Sequence, residues 1–325
     1  MSAAPSATAP VGEASRRAGL LPGVAAYLIW GVFPLMFAAL VPATPLEILA
    51  HRIVWSLAAV GLVLVVLRRP WSWVLALVRS RRLLRMALAA LLIAVNWLTF
   101  IWAVNNGHVV EGSLGYFINP LVNIALGVLL FGERMGRSGR TGALLALVGV
   151  GVIAWENWQG LWISLMLAGS FGLYGAVKKG APLPALEGLF VESALLTPMA
   201  LPYLLWLGSQ GAGRFGSDAR LSGLLVLAGV LTAVPLWLFA IAAVQLPYGV
   251  LGMLQYLGPT LQFVLGITVF GQHVNASYWV GLVLVWIGSA VYLTGAIGRR
   301  GAPRRTPTSA VPPRTDHPTP GTPPR

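Results

Sequence analysis

The sequence predicts an all-α integral membrane protein of ten transmembrane helices, arranged as two inverted five-helix repeats. Three observations carry that expectation: an internal repeat, a composition too apolar for a soluble domain, and cationic residues confined to alternate loops. Displaced by 139 residues, Asn119-Pro120 falls on Gly258-Pro259 and Phe131-Gly132 on Phe270-Gly271, with no gap between them. Gly142 and Gly149 fall on Gly281 and Gly288 in the same register. Earlier segments echo at neighbouring offsets, Gly31, Phe33 and Leu35 on Gly169, Phe171 and Leu173, and Leu46-Glu47 on Leu186-Glu187. Apolar helices share Leu and Val by chance, but not an ungapped register of Pro, Phe-Gly and paired Gly. A chain built from two copies of one hydrophobic unit has the form of many secondary transporters.

The 325 residues are 57% hydrophobic and 10% charged, with 13 Trp and no Cys, and the mean hydropathy is +0.78. Soluble domains carry about a quarter of their residues as charged ones. Without Cys there is no disulfide, thiolate metal site or thiol nucleophile. A helical span needs roughly 20 apolar residues, and ten such stretches run near 19–40, 46–67, 84–104, 110–131, 139–155, 160–177, 185–207, 221–244, 248–270 and 277–297. The first is too long for a signal-peptide core and reads as a retained anchor. The first repeat therefore covers 19–155 and the second 160–297. Residues 68–83 mix Trp, aliphatics and Arg in a run too short to span, which predicts an interfacial helix. Residues 1–18 and the Pro-rich basic stretch 298–325 read as disordered tails.

The net charge of +13 would suggest nucleic acid in a soluble protein. Its placement excludes that reading. Every Lys and Arg except Arg52, Arg214 and Arg220 falls on one set of alternate segments. Positive residues mark the cytoplasmic side, so both termini are expected inside the cytoplasmic membrane, with 105–108 and 209–219 outside. Five spans per repeat then forces the halves to run in opposite senses.

No catalytic signature appears. There is no phosphate-cradling loop, no HExxH and no nucleophile elbow, and the four His are scattered. No enzyme, cofactor or metal is expected. The informative residues are polar ones inside spans, since burying them in lipid is costly. Tyr116, Asn119 and Asn123 share one helical face, and their counterparts in the second copy are Gln255, Gly258 and Gln262. Pro120 and Pro259 each remove a backbone donor mid-span, and interrupted, symmetry-related helices with polar side chains point to a binding site. Tyr256, Asn96 and Trp97 join that candidate set, with Trp97 able to stack on a planar or cationic molecule. The competing reading is that the Asn and Gln residues only join neighbouring helices.

Acidic and basic residues in spans form a second set. Glu47 and His51 stand at i, i+4 and can hold or relay a proton. Arg52 follows, and Glu187 and Glu192 occupy the equivalent places in the second copy, so an opposite charge replaces Arg52. Glu111 lies deeper than the Asn105–His108 turn. These six are gate or proton-coupling candidates. The alternative is structural, with internal ion pairs fixing registry and Arg52 reaching outward to the interface.

Several runs resemble a known family. They are Leu46-Glu47-x3-His51-Arg52-x2-Trp55-Ser56, Trp102-Ala103-Val104-Asn105-Asn106-Gly107-His108, Ser113-Leu114-Gly115-Tyr116-Phe117-Ile118-Asn119-Pro120, Ser170-Phe171-Gly172-Leu173-Tyr174-Gly175 and Gln255-Tyr256-x2-Pro259-Thr260-Leu261-Gln262-Phe263. Over about 19–297 the chain resembles the RarD-type EamA transporters of the drug/metabolite transporter superfamily. It departs at Gln272, where related repeats often have Glu; the first copy keeps Glu133. The resemblance implies two inverted EamA repeats and export or exchange of a small organic molecule. The expected partners are thus a small-molecule substrate, the lipid bilayer and, as a candidate coupling ion, the proton. A non-transporting membrane scaffold or sensor is the rival expectation. Substrate, direction and oligomeric state are not legible in the sequence.

Overall fold

The computed structural model describes residues 13–132, 136–181 and 183–301, and among these every regular element is a helix. Glu133, and the tails apart from 13–18 and 298–301, lie outside the described residues. The helices are α1 (Glu13–Gly31), α2 (Phe33–Ala38), α3 (Pro45–Val66), α4 (Ser72–Val78), α5 (Arg82–Asn105), α6 (Val109–Phe131), α7 (Arg137–Lys179), α8 (Ala185–Ser209), α9 (Ala219–Gln245), α10 (Tyr248–Leu254), α11 (Leu257–Thr268) and α12 (Ala276–Gly301). α1 begins inside the stretch read as a disordered tail. Nine stretches of the described residues are long and apolar enough to cross a membrane, and Ala276–Tyr292 is a shorter apolar one. Helices suit that setting because each satisfies its own backbone hydrogen bonds where water is absent. α4 is a short helix within 68–83, with Trp71 stacked on Trp73 at 6.4 Å.

Local chemistry explains where the helices break. Val32 adopts φ −90°, ψ 0° just ahead of Pro34, and this separates α2 from α1. α3 starts at Pro45 with Thr44 as its cap, the Thr44 hydroxyl accepting from the Glu47 N–H at 3.2 Å. α7 joins two of the expected spans across Asn157, whose φ of −122° and ψ of 36° leave the helical region. The residues on either side run in opposite directions. Gly142 meets Gly288 and Gly149 meets Gly281, so the first part of α7 is antiparallel to α12. α12 is parallel to α6, since Tyr278 reaches Val110 and Trp286 reaches Phe117. α6 is parallel in turn to the second part of α7, where Gly160 meets Glu111 and Gly172 meets Val122. α6 continues unbroken through Pro120, whereas α10 and α11 are separated at Gln255 and Tyr256, one turn before Pro259.

The seam between α7 and α12 is backbone against backbone. A Cβ placed on Gly149 would sit 2.5 Å from the Gly281 carbonyl oxygen, and one on Gly142 equally close to that of Gly288. Small residues that let helices approach this closely replace the hydrophobic driving force that lipid cannot supply. Gly151, by contrast, meets nothing within 4 Å. Gly149→Ala is therefore expected to lower stability by roughly 1–3 kcal/mol through overpacking, whereas Gly151→Ala is neutral or mildly stabilising through helix propensity. Thermal unfolding of the two purified variants in one detergent checks this; equal melting temperatures would contradict the close seam.

Candidate functional site

Arg52 lies seven residues into α3, about 10 Å along the helix axis, and is only 4% exposed. It does not reach outward. Its Nε–H donates to Thr232 Oγ1 on α9 at 2.7 Å, and the Thr232 hydroxyl itself donates to the Ala228 carbonyl. The guanidinium carbon stands 4.2 Å from the centre of the Trp97 ring on α5 and 5.5 Å from the rings of Phe33 and Phe37 on α2. The break at Val32 makes this possible, because it starts the short helix that carries both Phe residues on one face. One turn along α3, the Ser56 hydroxyl donates to the Gly229 carbonyl at 3.0 Å, fixing α3 to α9 beneath the cluster. Among the described residues Arg52 forms no ion pair, and its terminal nitrogens make no hydrogen bond.

The cluster continues toward α6 through aromatic contacts. Phe37 is 6.1 Å from Phe100, Phe100 is 5.5 Å from Tyr116, and Tyr116 is 6.5 Å from Phe171. The Tyr116 hydroxyl donates to Asn96 Oδ1 at 3.3 Å. Asn96 is buried, and its amide donates to the Leu167 carbonyl at 2.9 Å and to Ser170 at 3.1 Å, tying α5 to α7. Asn119 is half-buried, with its Oδ1 enclosed and without a partner. Asn123 is exposed beside Gly172. Farther along the chain Gln262 donates to the Trp30 carbonyl at 3.0 Å, Tyr256 stacks on Phe117 at 6.3 Å, and Gln255 is half-buried. The structure thus gathers Arg52, Trp97, Asn96 and Tyr116 into one contiguous cluster, while Gln262 joins α11 to α1.

The other charged candidates have separate settings. Glu47 and His51 share a helix face, yet no hydrogen bond joins them among the described residues. The loop between α8 and α9 covers both: the Arg214 N–H donates to Glu47 Oε1 at 2.6 Å, and Phe215 stacks on the His51 ring at 4.9 Å. Glu192 pairs with Lys178 at 2.8 Å and accepts from the Tyr174 hydroxyl at 3.1 Å. Glu111 lies 3.6 Å from His108, whose ring stacks on Trp102. Glu187 is buried at the start of α8. Gln272, at the departure from the Glu of related repeats, accepts from the Val110 N–H at 2.8 Å and donates to the Gly107 carbonyl. It thereby joins the α11–α12 turn to the α5–α6 turn.

Sequence reasoning missed Thr232, Phe33, Phe37 and the Lys178–Glu192 pair. Thr232 carried a signal, as the only hydroxyl in α9 beyond its first turn.

A family model described as the EamA-like transporter family matches residues 17–155. A protein named RarD from Streptomyces exfoliatus is 47% identical over 287 residues, covering 88% of this chain and 91% of that one. The chain belongs to the EamA-like transporter family. RarD of Escherichia coli (strain K12), another relative, is 40% identical over 86% of this chain and 95% of its own length. A Pseudomonas aeruginosa relative named chloramphenicol-sensitive protein RarD is 31% identical over 85% of this chain and 93% of its own. A solved crystal structure shares the fold, with a TM-score of 0.58 at 18% identity over 86% of this chain and 99% of that one. An EamA family chain with this many apolar helices is a multi-pass membrane protein of a transporter family.

The Arg52–Thr232 bond predicts a graded response. Thr232→Val keeps the shape and leaves the Nε–H without an acceptor, which costs about 1–3 kcal/mol. Thr232→Ser retains the acceptor. Thermal unfolding should rank wild type and Thr232→Ser well above Thr232→Val; Thr232→Val matching wild type would show that the bond contributes nothing.

Proposed function

We propose that this chain is a secondary carrier that moves a small organic molecule across the cytoplasmic membrane by alternating access. The proposed framework is ten spans in two inverted repeats, 19–155 and 160–297, with both termini inside. The relatives support the transporter class. The observation that carries the reading is Arg52, a cation held inside the bundle with in-plane donors that no described residue takes. A scaffold whose polar groups only join helices has no use for it. Trp97, Asn96 and Tyr116 border this cation and form the proposed centre of the site. Asn119, Asn123, Gln255, Tyr256 and Gln262 line the proposed path, and the break before Pro259 supplies a place for the second copy to bend.

Two ties cross between the proposed halves, one from Glu47 to Arg214 and one from Gln272 to Gly107 and Val110 at the α5–α6 turn. Alternating access requires such contacts to open and reform, and hydrogen bonds worth about 1 kcal/mol each suit that role. The proton is the proposed coupling ion, with Glu47 and His51 as its carriers. Glu47 Oε2 and His51 Nδ1 are enclosed without hydrogen-bond partners, so each has a free position for a proton.

Reconstitution into proteoliposomes, screened against a metabolite extract, tests the reading. Wild-type protein should exchange at least one component and accumulate it under a pH gradient. Glu47→Gln keeps an oxygen for the Arg214 N–H and removes the charge, so it should preserve exchange and abolish gradient-driven accumulation. Exchange indifferent to the gradient in wild type removes proton coupling, and exchange of nothing favours the scaffold.

A further inference from the structure

Arg52 is a buried cation with no carboxylate partner among the described residues. Taking a guanidinium out of water is costly. Aromatic rings and the single bond to Thr232 offset part of that cost. Rings take up the faces of a guanidinium and leave its edge of in-plane N–H donors open. Here that edge retains both terminal nitrogens, and among the described carboxylates Glu47 accepts from the Arg214 N–H, Glu192 pairs with Lys178 and Glu111 lies beside His108, while none pairs with Arg52. A planar edge of paired donors matches the two oxygens of a carboxylate, which it binds through parallel charge-assisted hydrogen bonds.

The surroundings specify the rest of the molecule. Trp97, Phe33 and Phe37 ring the cation with apolar surface, and Phe100 and Tyr116 extend that surface on one side. We propose that the substrate is a small organic acid, its carboxylate on the terminal nitrogens of Arg52 and its apolar, flat body against Trp97 and the neighbouring rings. This rests on the carrier reading and names the substrate class it left open. A carboxylate arriving at Arg52 supplies the missing charge, so the loaded site is better satisfied electrostatically than the empty one. Arg52 is in this view the specificity-determining residue: it admits acids and gives their neutral amides no counterpart to the charge.

The test compares matched pairs that differ only in that charge. Phenylacetate against phenylacetamide, indole-3-acetate against indole-3-acetamide and octanoate against octanamide are titrated into purified full-length protein in zwitterionic lipid nanodiscs, read by tryptophan fluorescence and thermal shift. At least one acid should bind tenfold or more tightly than its amide in wild type. Arg52→Lys should weaken that acid tenfold or more, and Arg52→Gln should erase the difference between acid and amide. Because the wild-type comparison needs no variant, a variant that fails to fold leaves the test intact. No acid preference in any pair overturns the proposal, as does an acid preference unchanged in Arg52→Lys and Arg52→Gln. Tighter binding of short-chain phosphatidylglycerol than of any acid overturns it too, making Arg52 a lipid-headgroup site. The same acids are then offered for exchange in proteoliposomes. Arg52-dependent acid binding without exchange sinks the carrier reading and leaves the anion site. Exchange of neutral compounds without acid preference sinks the anion site and leaves the carrier.

Discussion

Within hydrocarbon a polar group has no water to turn to, so each one that enters the bundle must find its partner there. Most described polar side chains obey this locally. Ser170, Thr197, Thr260 and Thr268 donate to carbonyls one turn back in their own helices. Others join helices: Asn96 binds α7, Ser56 binds α9, Gln262 binds α1, and Lys178 pairs with Glu192. Arg52 obeys it only in part, with one donor bonded and its faces lined by aromatic rings. Arg52 is therefore a buried cation without an ion pair among the described residues, and the function proposed here grows from that imbalance.

Packing separates what is rigid from what can open. Where α7 meets α12, two pairs of glycines bring backbones together without intervening side chains, and close-packed contacts of this kind do not deform by degrees. Around Arg52 the contacts are instead between side chains from α2, α3, α5 and α9, at ring distances above 4 Å. The loop over Glu47 and His51 and the Gln272 bridge close one end with a few hydrogen bonds. A seam that holds and an end that is lightly fastened is the division alternating access needs.

Long apolar runs made most helices legible, because length and hydropathy decide which segments can satisfy their backbone in lipid. The mixed run containing Trp71 and Trp73 holds the short helix α4. Breaks were less legible. Pro259 pointed to the interruption ahead of it, but the equivalent Pro120 leaves α6 continuous, and the separation of α2 at Val32 follows from Pro34, which drew no attention. Sequence reading left Arg52 open between a gate residue and a cation reaching for the interface. Its inward direction depends on Thr232, 180 residues away, and on two Phe residues that look like ordinary lipid-facing ones in isolation. The i, i+4 spacing put Glu47 and His51 on one face, but each meets the α8–α9 loop, a tertiary contact that periodicity does not encode.

The central claim is that the cluster around Arg52 is a water-reached site rather than a sealed helix contact. This chain has no native Cys, so single Cys residues at Trp97 and Tyr116 can be probed with a membrane-impermeant thiol reagent in oriented vesicles, with Leu129→Cys on the outer surface of α6 as a lipid-facing reference. The account predicts that both positions react well above the reference, from one face or the other as the carrier alternates. It also predicts that an acid able to bind slows both reactions. Labelling no faster than at Leu129 from either face, with or without acid, would contradict it.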